Sequence, residues 1–152
     1  MRAAVGFWVA LVVCFAAATV GAWQTSTSVH TWYATLTKPA WTPPDRVFGP
    51  VWTLLYTLMA IAAWRVWLKA GWHPSLWLFL LQLALNTLWS ALFFGQRRPD
   101  WALINVVGLW LAIAATIIAF RGVDSQAAWL LFPYLVWVSF ALALNGAIWQ
   151  LN

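Results

Sequence analysis

The sequence predicts an all-α membrane protein, a five-transmembrane-helix bundle, and three observations carry that prediction. Of its 152 residues, 64% are hydrophobic and 7% charged, against about 25% charged in an ordinary soluble domain. Five runs almost free of charge are each long enough for the roughly 20 helical residues that cross a hydrocarbon core. Those runs are continuously apolar, whereas strands of a membrane barrel would alternate polar and apolar residues over about 10 positions.

The first span is expected over Val5–Trp23. A secretory leader would share its basic start at Arg2, but this run exceeds the usual apolar core of about 7–15 residues and continues without a polar cleavage region. Gly6, Ala10, Cys14, Ala17 and Gly21 form a stripe of small residues along it, which lets another helix approach closely, either within the bundle or from a second copy of the chain. Cys14 is the sole cysteine; it reads as a small packing residue, since one cysteine excludes an intrachain disulfide.

Residues 24–46 form the long connection, and they hold Trp32, Trp41, Pro39, Pro43, Pro44, Lys38, Asp45 and Arg46. A plain link between helices needs only a few polar residues, so this loop is expected to cover something as a lid. The later loops are short, and consecutive helices should be antiparallel neighbours.

The second span is expected over Val47–Leu68, with Pro50 at its start, where a missing N–H costs little, and with Trp52, Tyr56 and Met59 on one face. The third, Leu76–Gly95, carries Gln82, Asn86, Trp89 and Phe93 at helical spacing, one stripe. The fourth, Trp101–Phe120, groups Asn105, Ala112 and Thr116; the fifth, Gln126–Trp149, groups Tyr134, Trp137, Ala141 and Asn145. Pro133 removes a hydrogen bond to the carbonyl of Trp129 and should kink the fifth helix just before Trp137.

Polar groups inside a membrane are costly and normally face the bundle interior or a cavity. Antiparallel tracing puts Trp52, Tyr56, Asn86, Trp89, Asn105, Ala141 and Asn145 in the half beneath the long loop, with Trp137 near mid-depth, at a rise of about 1.5 Å per residue. These groups are expected to line a pocket that the loop roofs.

Of the 15 tryptophans, Trp23, Trp64, Trp67, Trp72, Trp77, Trp101, Trp129 and Trp149 fall at or near span ends, where an aromatic interface belt accounts for them. Trp89, Trp110 and Trp137 lie deeper; Trp110 is off the Asn105 stripe and is expected to face lipid. Indole faces stack on flat conjugated molecules and a buried indole N–H wants an acceptor. A flat, mostly apolar ligand with a few polar groups suits such a lining, although packing between helices explains any single deep tryptophan equally well.

The net charge of +5 does not imply nucleic acid, because the basic residues sit at helix ends, where cations snorkel to headgroups. Arg2, Arg65, Lys69 and Arg121 fall on one side of the membrane and Lys38, Arg46, Arg97 and Arg98 on the other, so charge assigns no orientation. No span carries an ionisable Asp, Glu, Lys or Arg in its middle, which excludes the usual ion-coupled transport sites. Phosphate loops, paired carboxylates and metal-ligand spacings are missing, so neither a metal site nor an obligatory cofactor is expected. His30 and His73 read as interfacial hydrogen-bonding residues, with His30, under the lid, the one imidazole positioned to ligate a haem iron. Asp45 and Arg46 should meet solvent or anchor the loop.

The run WYATLTKPAWTPPDRVFGPVWTLLY resembles the signature of the tryptophan-rich sensory protein and translocator protein family, also called the peripheral benzodiazepine receptor family. The likeness continues through NTLWSALFFG and RRPDWALINV to PYLVWVSFALALN. It implies a five-helix bundle, often a homodimer, that binds porphyrins such as protoporphyrin or haem and also isoquinoline carboxamide and benzodiazepine drugs. By resemblance, Tyr33, Pro43, Trp52, Tyr56, Asn86, Trp89, Trp137, Ala141 and Leu144 match ligand-lining positions, and Trp52 and Trp137 match the pair associated with porphyrin photochemistry.

Animal members carry a cholesterol-recognition stretch with Tyr and Arg; this chain reads LNGAIWQLN there, so sterol binding is not expected. Asn105, Thr42 and Asp45 likewise replace titratable residues of animal members, so proton-dependent behaviour should not transfer. The function expected is tetrapyrrole binding as a sensor, carrier or scavenger in the membrane, with light-dependent porphyrin degradation through Trp52 and Trp137 as one alternative and a structural subunit without a ligand as another. Apolar helices favour a bacterial inner membrane over an outer one.

Overall fold

A computed structural model describes all 152 residues, and it is built of helices alone. In chain order these are α1 (Arg2–Ser26), the single turn α2 (Trp32–Thr35), α3 (Asp45–Ala70), α4 (Ser75–Ser90, continued by a π-helical turn over Ala91–Gly95), α5 (Pro99–Arg121), α6 (Ser125–Leu130) and α7 (Phe132–Leu151). Five stretches are long and apolar enough to cross a membrane, with α6 and α7 together making the fifth. The chain is an integral membrane protein with a five-helix bundle fold.

Helix ends follow local chemistry. At the end of α1, the hydroxyls of Ser26 and Thr27 donate to the carbonyls of Trp23 and Gln24 at 2.7 and 2.6 Å, which satisfies acceptors a helix terminus leaves free. Gly71 stops α3 at φ +61°, a conformation glycine adopts without steric cost, and its N–H returns to the Trp67 carbonyl at 2.9 Å. Asp124 starts α6, its carboxylate accepting the Gln126 N–H at 3.0 Å.

Around the bundle, α1 is flanked by α3 and α4, α4 by α5, α5 by α6 and α7, and α6 closes back onto α3. The consecutive helices α3 and α4 hardly meet, contrary to the expectation that every consecutive pair would be neighbours. The small stripe of α1 explains this. A Cβ on Gly6 would lie 2.6 Å from Cδ1 of Trp67, and one on Gly21 3.3 Å from Oγ of Ser90. The bare helix surface thus wedges between α3 and α4, and Trp64 pins it by donating to the Ala3 carbonyl at 2.8 Å. Cys14 is fully buried in that seam.

The two halves of the bundle differ. Away from the lid, Met59, Ala62, Val66, Phe79, Ile113, Phe120 and Ala127 fill the interior, with Phe79 and Phe120 stacked at 5.9 Å. On the lid side, α3 packs against neither α7 nor α4 extensively, and space remains between them.

Three sequence expectations change. Pro50 lies inside α3, which begins at Asp45, so it removes the bond its N–H would make to the Arg46 carbonyl, and Trp52 lies beyond the first turn. Trp110 is half-buried rather than turned wholly to lipid, because its N–H finds the Ser139 hydroxyl on α7 at 2.8 Å. The break at Pro133 is complete: α6 ends at Leu130, Leu131 lies between the helices, and the proline sits in the first turn of α7, where its lost donor is not needed.

On the face opposite the lid, Asp124 is buried and accepts from Arg65 Nε at 2.7 Å, with Lys69 Nζ at 3.2 Å. Burial alone would raise the carboxyl's pKa, but the hydrogen bonds from Arg65 and Lys69 hold it below the ordinary carboxylate range. A depressed folded pKa stabilises above the unfolded value of about 4, and that stabilisation is lost as pH falls through the folded value. Asp124→Asn is expected to lower the melting temperature at pH 7 by about 3–8 °C in a thermal-denaturation assay in detergent, and the gap to the parent should narrow in acid. An unchanged melting temperature would show that the cluster is ornamental.

Candidate functional site

The space on the lid side is a cavity of about 640 Å³, within the range of small-molecule sites, about 300–1,000 Å³. Its walls come from every span except α5. Trp52 and Tyr56 descend from α3, Asn86, Trp89, Phe93 and Phe94 from α4 and its π-turn, Trp137, Phe140, Ala141, Leu144 and Asn145 from α7, and Phe15, Ala18, Gly21 and Ala22 from α1.

The aromatic side chains form two groups that face each other across the cavity. Trp52 and Trp137 meet edge to face, with centroids 6.4 Å apart at 89°. Trp52 lies 5.8 Å from Tyr56 and 6.2 Å from Tyr134, and Trp137 lies 5.8 Å from Phe48 and 5.4 Å from Phe140. Across the cavity Trp89 stacks on Phe93 at 5.5 Å. The indole N–H of Trp89 donates to Asn145 Oδ1 at 3.1 Å, while those of Trp52 and Trp137 have no protein acceptor, leaving two donors for whatever enters.

Asn86 donates to the Tyr56 hydroxyl at 3.0 Å, and its Oδ1 takes no protein donor. Asn145 is fully employed, accepting from Trp89 and donating to the Pro99 carbonyl at 2.8 Å. One expected lining residue, Asn105, lies elsewhere, while Gln82, on the inward stripe of the third span, is buried as that stripe implied. Asn105 donates to the Leu85 carbonyl at 2.9 Å, tying α5 to α4 behind the wall, and Gln82 is buried against Met59. Tyr134, fully buried, supports Trp52 from outside the cavity.

Residues 27–44 roof the cavity, and they are fastened to it. The Ser28 hydroxyl donates to the Phe94 carbonyl at 2.5 Å. Tyr33, on α2, is buried with its ring 6.1 Å from Phe93 and 5.5 Å from Phe94. Lys38 Nζ donates to the Tyr33 carbonyl at 2.8 Å and lies 4.5 Å from its ring centroid. Burial and then the nearby Asp45 charge push the Tyr33 hydroxyl up to about 12, so it stays a neutral donor. Further along, Trp41 packs on Phe140 at 5.7 Å, and the Asn152 amide pairs with both the N–H and the carbonyl of Thr37, each at 2.9 Å.

Of the nine residues matched by resemblance, Tyr33, Trp52, Tyr56, Asn86, Trp89, Trp137, Ala141 and Leu144 line the cavity; Pro43 is half-buried in the chain leading to α3 and does not. His30 lines the cavity but is exposed, as Asp45 and Arg46 are, rather than covered by the lid. No cluster of three His, Cys, Asp or Glu side chains is present.

Sequence reasoning missed the wall that α1 provides, treating that helix as packing only. The signal was present: Ala18, Gly21 and Ala22 are small residues that leave room. It also missed Phe94. The π-helical turn adds a residue to the helical register, so Phe93 and Phe94 both point inward, and such turns are frequent at functional sites.

Comparison with known proteins finds a match between residues 10–150 and the model of the TspO/MBR family. The chain is 44% identical to the tryptophan-rich protein TspO of Chlorobaculum tepidum, with 92% of this chain and 91% of that relative covered. It is 44% identical to the tryptophan-rich sensory protein of Cereibacter sphaeroides, over 93% of this chain and 88% of that protein. It is 40% identical to the translocator protein of Homo sapiens, over 95% and 91%.

Proposed function

Because this chain belongs to the TspO/MBR family, we propose that its roofed cavity binds a tetrapyrrole, protoporphyrin or haem, and that the protein acts as a sensor, carrier or scavenger of that pigment in the inner membrane. The observation that supports this most is the pair of indoles, Trp52 and Trp137, set at right angles on the wall with unclaimed N–H donors. A conjugated macrocycle can lie against one indole face and meet the edge of the other. Asn86 Oδ1 offers it a hydrogen-bond acceptor at the cavity's inner end, and the lid excludes water. Flat isoquinoline carboxamide and benzodiazepine ligands suit the same walls.

The two indoles also favour a second reading, light-dependent oxidative degradation of the bound porphyrin, in which the pigment absorbs the light, dissolved dioxygen is the oxidant and an indole lies against the ring. One experiment addresses both. Purified protein titrated with protoporphyrin should lose tryptophan fluorescence saturably, near one pigment per chain. Under illumination, the photochemical reading predicts faster loss of the porphyrin absorption band than for free pigment in detergent. Quenching that rises without saturation would contradict the tetrapyrrole site, and equal bleaching would remove the photochemical reading alone.

A further inference from the structure

The cavity carries charge at one place only. Asp45 and Arg46, both exposed in the first turn of α3, are the sole Asp, Glu, Lys or Arg side chains on its lining, and His30 joins them at the rim. Everything deeper is aromatic, aliphatic or neutral polar.

The two charges are not equivalent. Asp45 sits in the first turn of α3, where a helix N-terminus favours a carboxylate. Adjacent residues on a helix do not face one another, and the three ion pairs of the fold are Arg65–Asp124, Lys69–Asp124 and Arg98–Asp100. Arg46 is in none of them. Lys38, the other cation of the lid, is committed to Tyr33 through its carbonyl and its ring. Arg46 therefore offers at the mouth a planar fork of N–H donors with no acceptor on the protein, a shape that matches a carboxylate in two parallel hydrogen bonds.

We propose that Arg46 makes this site selective for flat apolar ligands that carry carboxylates along one edge: the ring system enters the tryptophan-lined cavity and the carboxylates remain at the rim on the guanidinium. His30, on the same rim, supplies a further ring N–H. The inference rests on the tetrapyrrole reading and adds to it the direction of entry and the charge of the preferred ligand. It also gives a role to the one cation on the lining of the chamber.

The test pairs protoporphyrin, a dicarboxylic acid, with its dimethyl ester, titrated into the parent and into Arg46→Gln and Arg46→Lys in the same detergent. Comparing parent and variant with one pigment cancels that pigment's partition into micelles. Arg46→Gln is expected to weaken the acid about tenfold and the ester by less than about twofold, with Arg46→Lys intermediate for the acid and added salt eroding the parent's advantage. Equal losses for acid and ester would overturn the proposal, since Arg46 would then act through the fold. No loss for either would overturn it too, leaving Arg46 to lipid headgroups while the cavity still binds pigment. If neither pigment binds the parent saturably, the tetrapyrrole reading itself fails, and the two failures are thereby distinguished.

Discussion

Replacing Trp52 and Trp137 together by alanine is expected to weaken protoporphyrin binding at least about 100-fold. Stacking of a flat conjugated ring on an aromatic side chain contributes about 1–3 kcal/mol per contact, and each 1.4 kcal/mol is about tenfold in affinity. Both indoles line the cavity and touch each other's edges and faces at 6.4 Å, so the double substitution removes one wall rather than two scattered contacts. It also removes the only indole donors on the lining that lack a protein partner. Trp52→Phe with Trp137→Phe keeps two ring faces and the packing on Tyr56, Tyr134 and Phe140, so a loss nearer tenfold is expected. The measurement is the dissociation constant by fluorescence or absorbance titration, with the phenylalanine pair as control for the fold. Parent-like affinity in the alanine pair would mean that the pigment binds elsewhere.

Tyr33→Ala is the second large effect, and it acts on the roof. The ring is 5% exposed, it is held against Phe93 and Phe94, and Lys38 closes over it. Truncating a buried aromatic typically costs about 3–5 kcal/mol. Here that loss falls on the docking of one loop, whose remaining ties include the Ser28 hydrogen bond, the Trp32 ring on Phe93, the Thr37–Asn152 pairing and Trp41. Amides between Ser28 and Thr42 are expected to exchange with solvent at least about 100-fold faster, while those in the packed half around Met59 and Phe120 stay protected. Tyr33→Phe should leave exchange nearly as in the parent, because the ring supplies the anchor. Uniformly faster exchange throughout the bundle would instead show Tyr33 to be a global stability residue.

Much of this arrangement was legible in the residues, for a physical reason that also marks where legibility ended. Lipid is a solvent that forces polar side chains inward, so Asn86 and Asn145 marked the faces of α4 and α7, and the indoles at helical spacing from them came along. Asn105 was drawn into the lining by the same rule and misassigned, because an inward polar group can satisfy a carbonyl behind the wall as readily as line a hollow. Periodicity fixes a direction, not what is met in that direction.

The helix order was hidden for a related reason. Short loops make consecutive helices neighbours by default, and only the bare surface of α1, where Gly6 admits the Trp67 ring, lets that helix slip between α3 and α4. The stripe was visible; its partner was not. The same displacement turns α1 into a cavity wall. The π-helical turn that brings Phe94 inward departs from the 3.6-residue repeat on which stripes are read, so no stripe could have found it.

Aromatic rings from α3, α4 and α7 enclose a hollow under the lid, and a flat pigment is expected to occupy it. An experimental structure of the protein saturated with protoporphyrin tests this most directly. The macrocycle should lie between the Trp52–Trp137 wall and Trp89, beneath Tyr33, with the lid fastened over it. A macrocycle on the lipid-facing surface, with the hollow collapsed or filled by side chains, would rule out a pigment site beneath the lid.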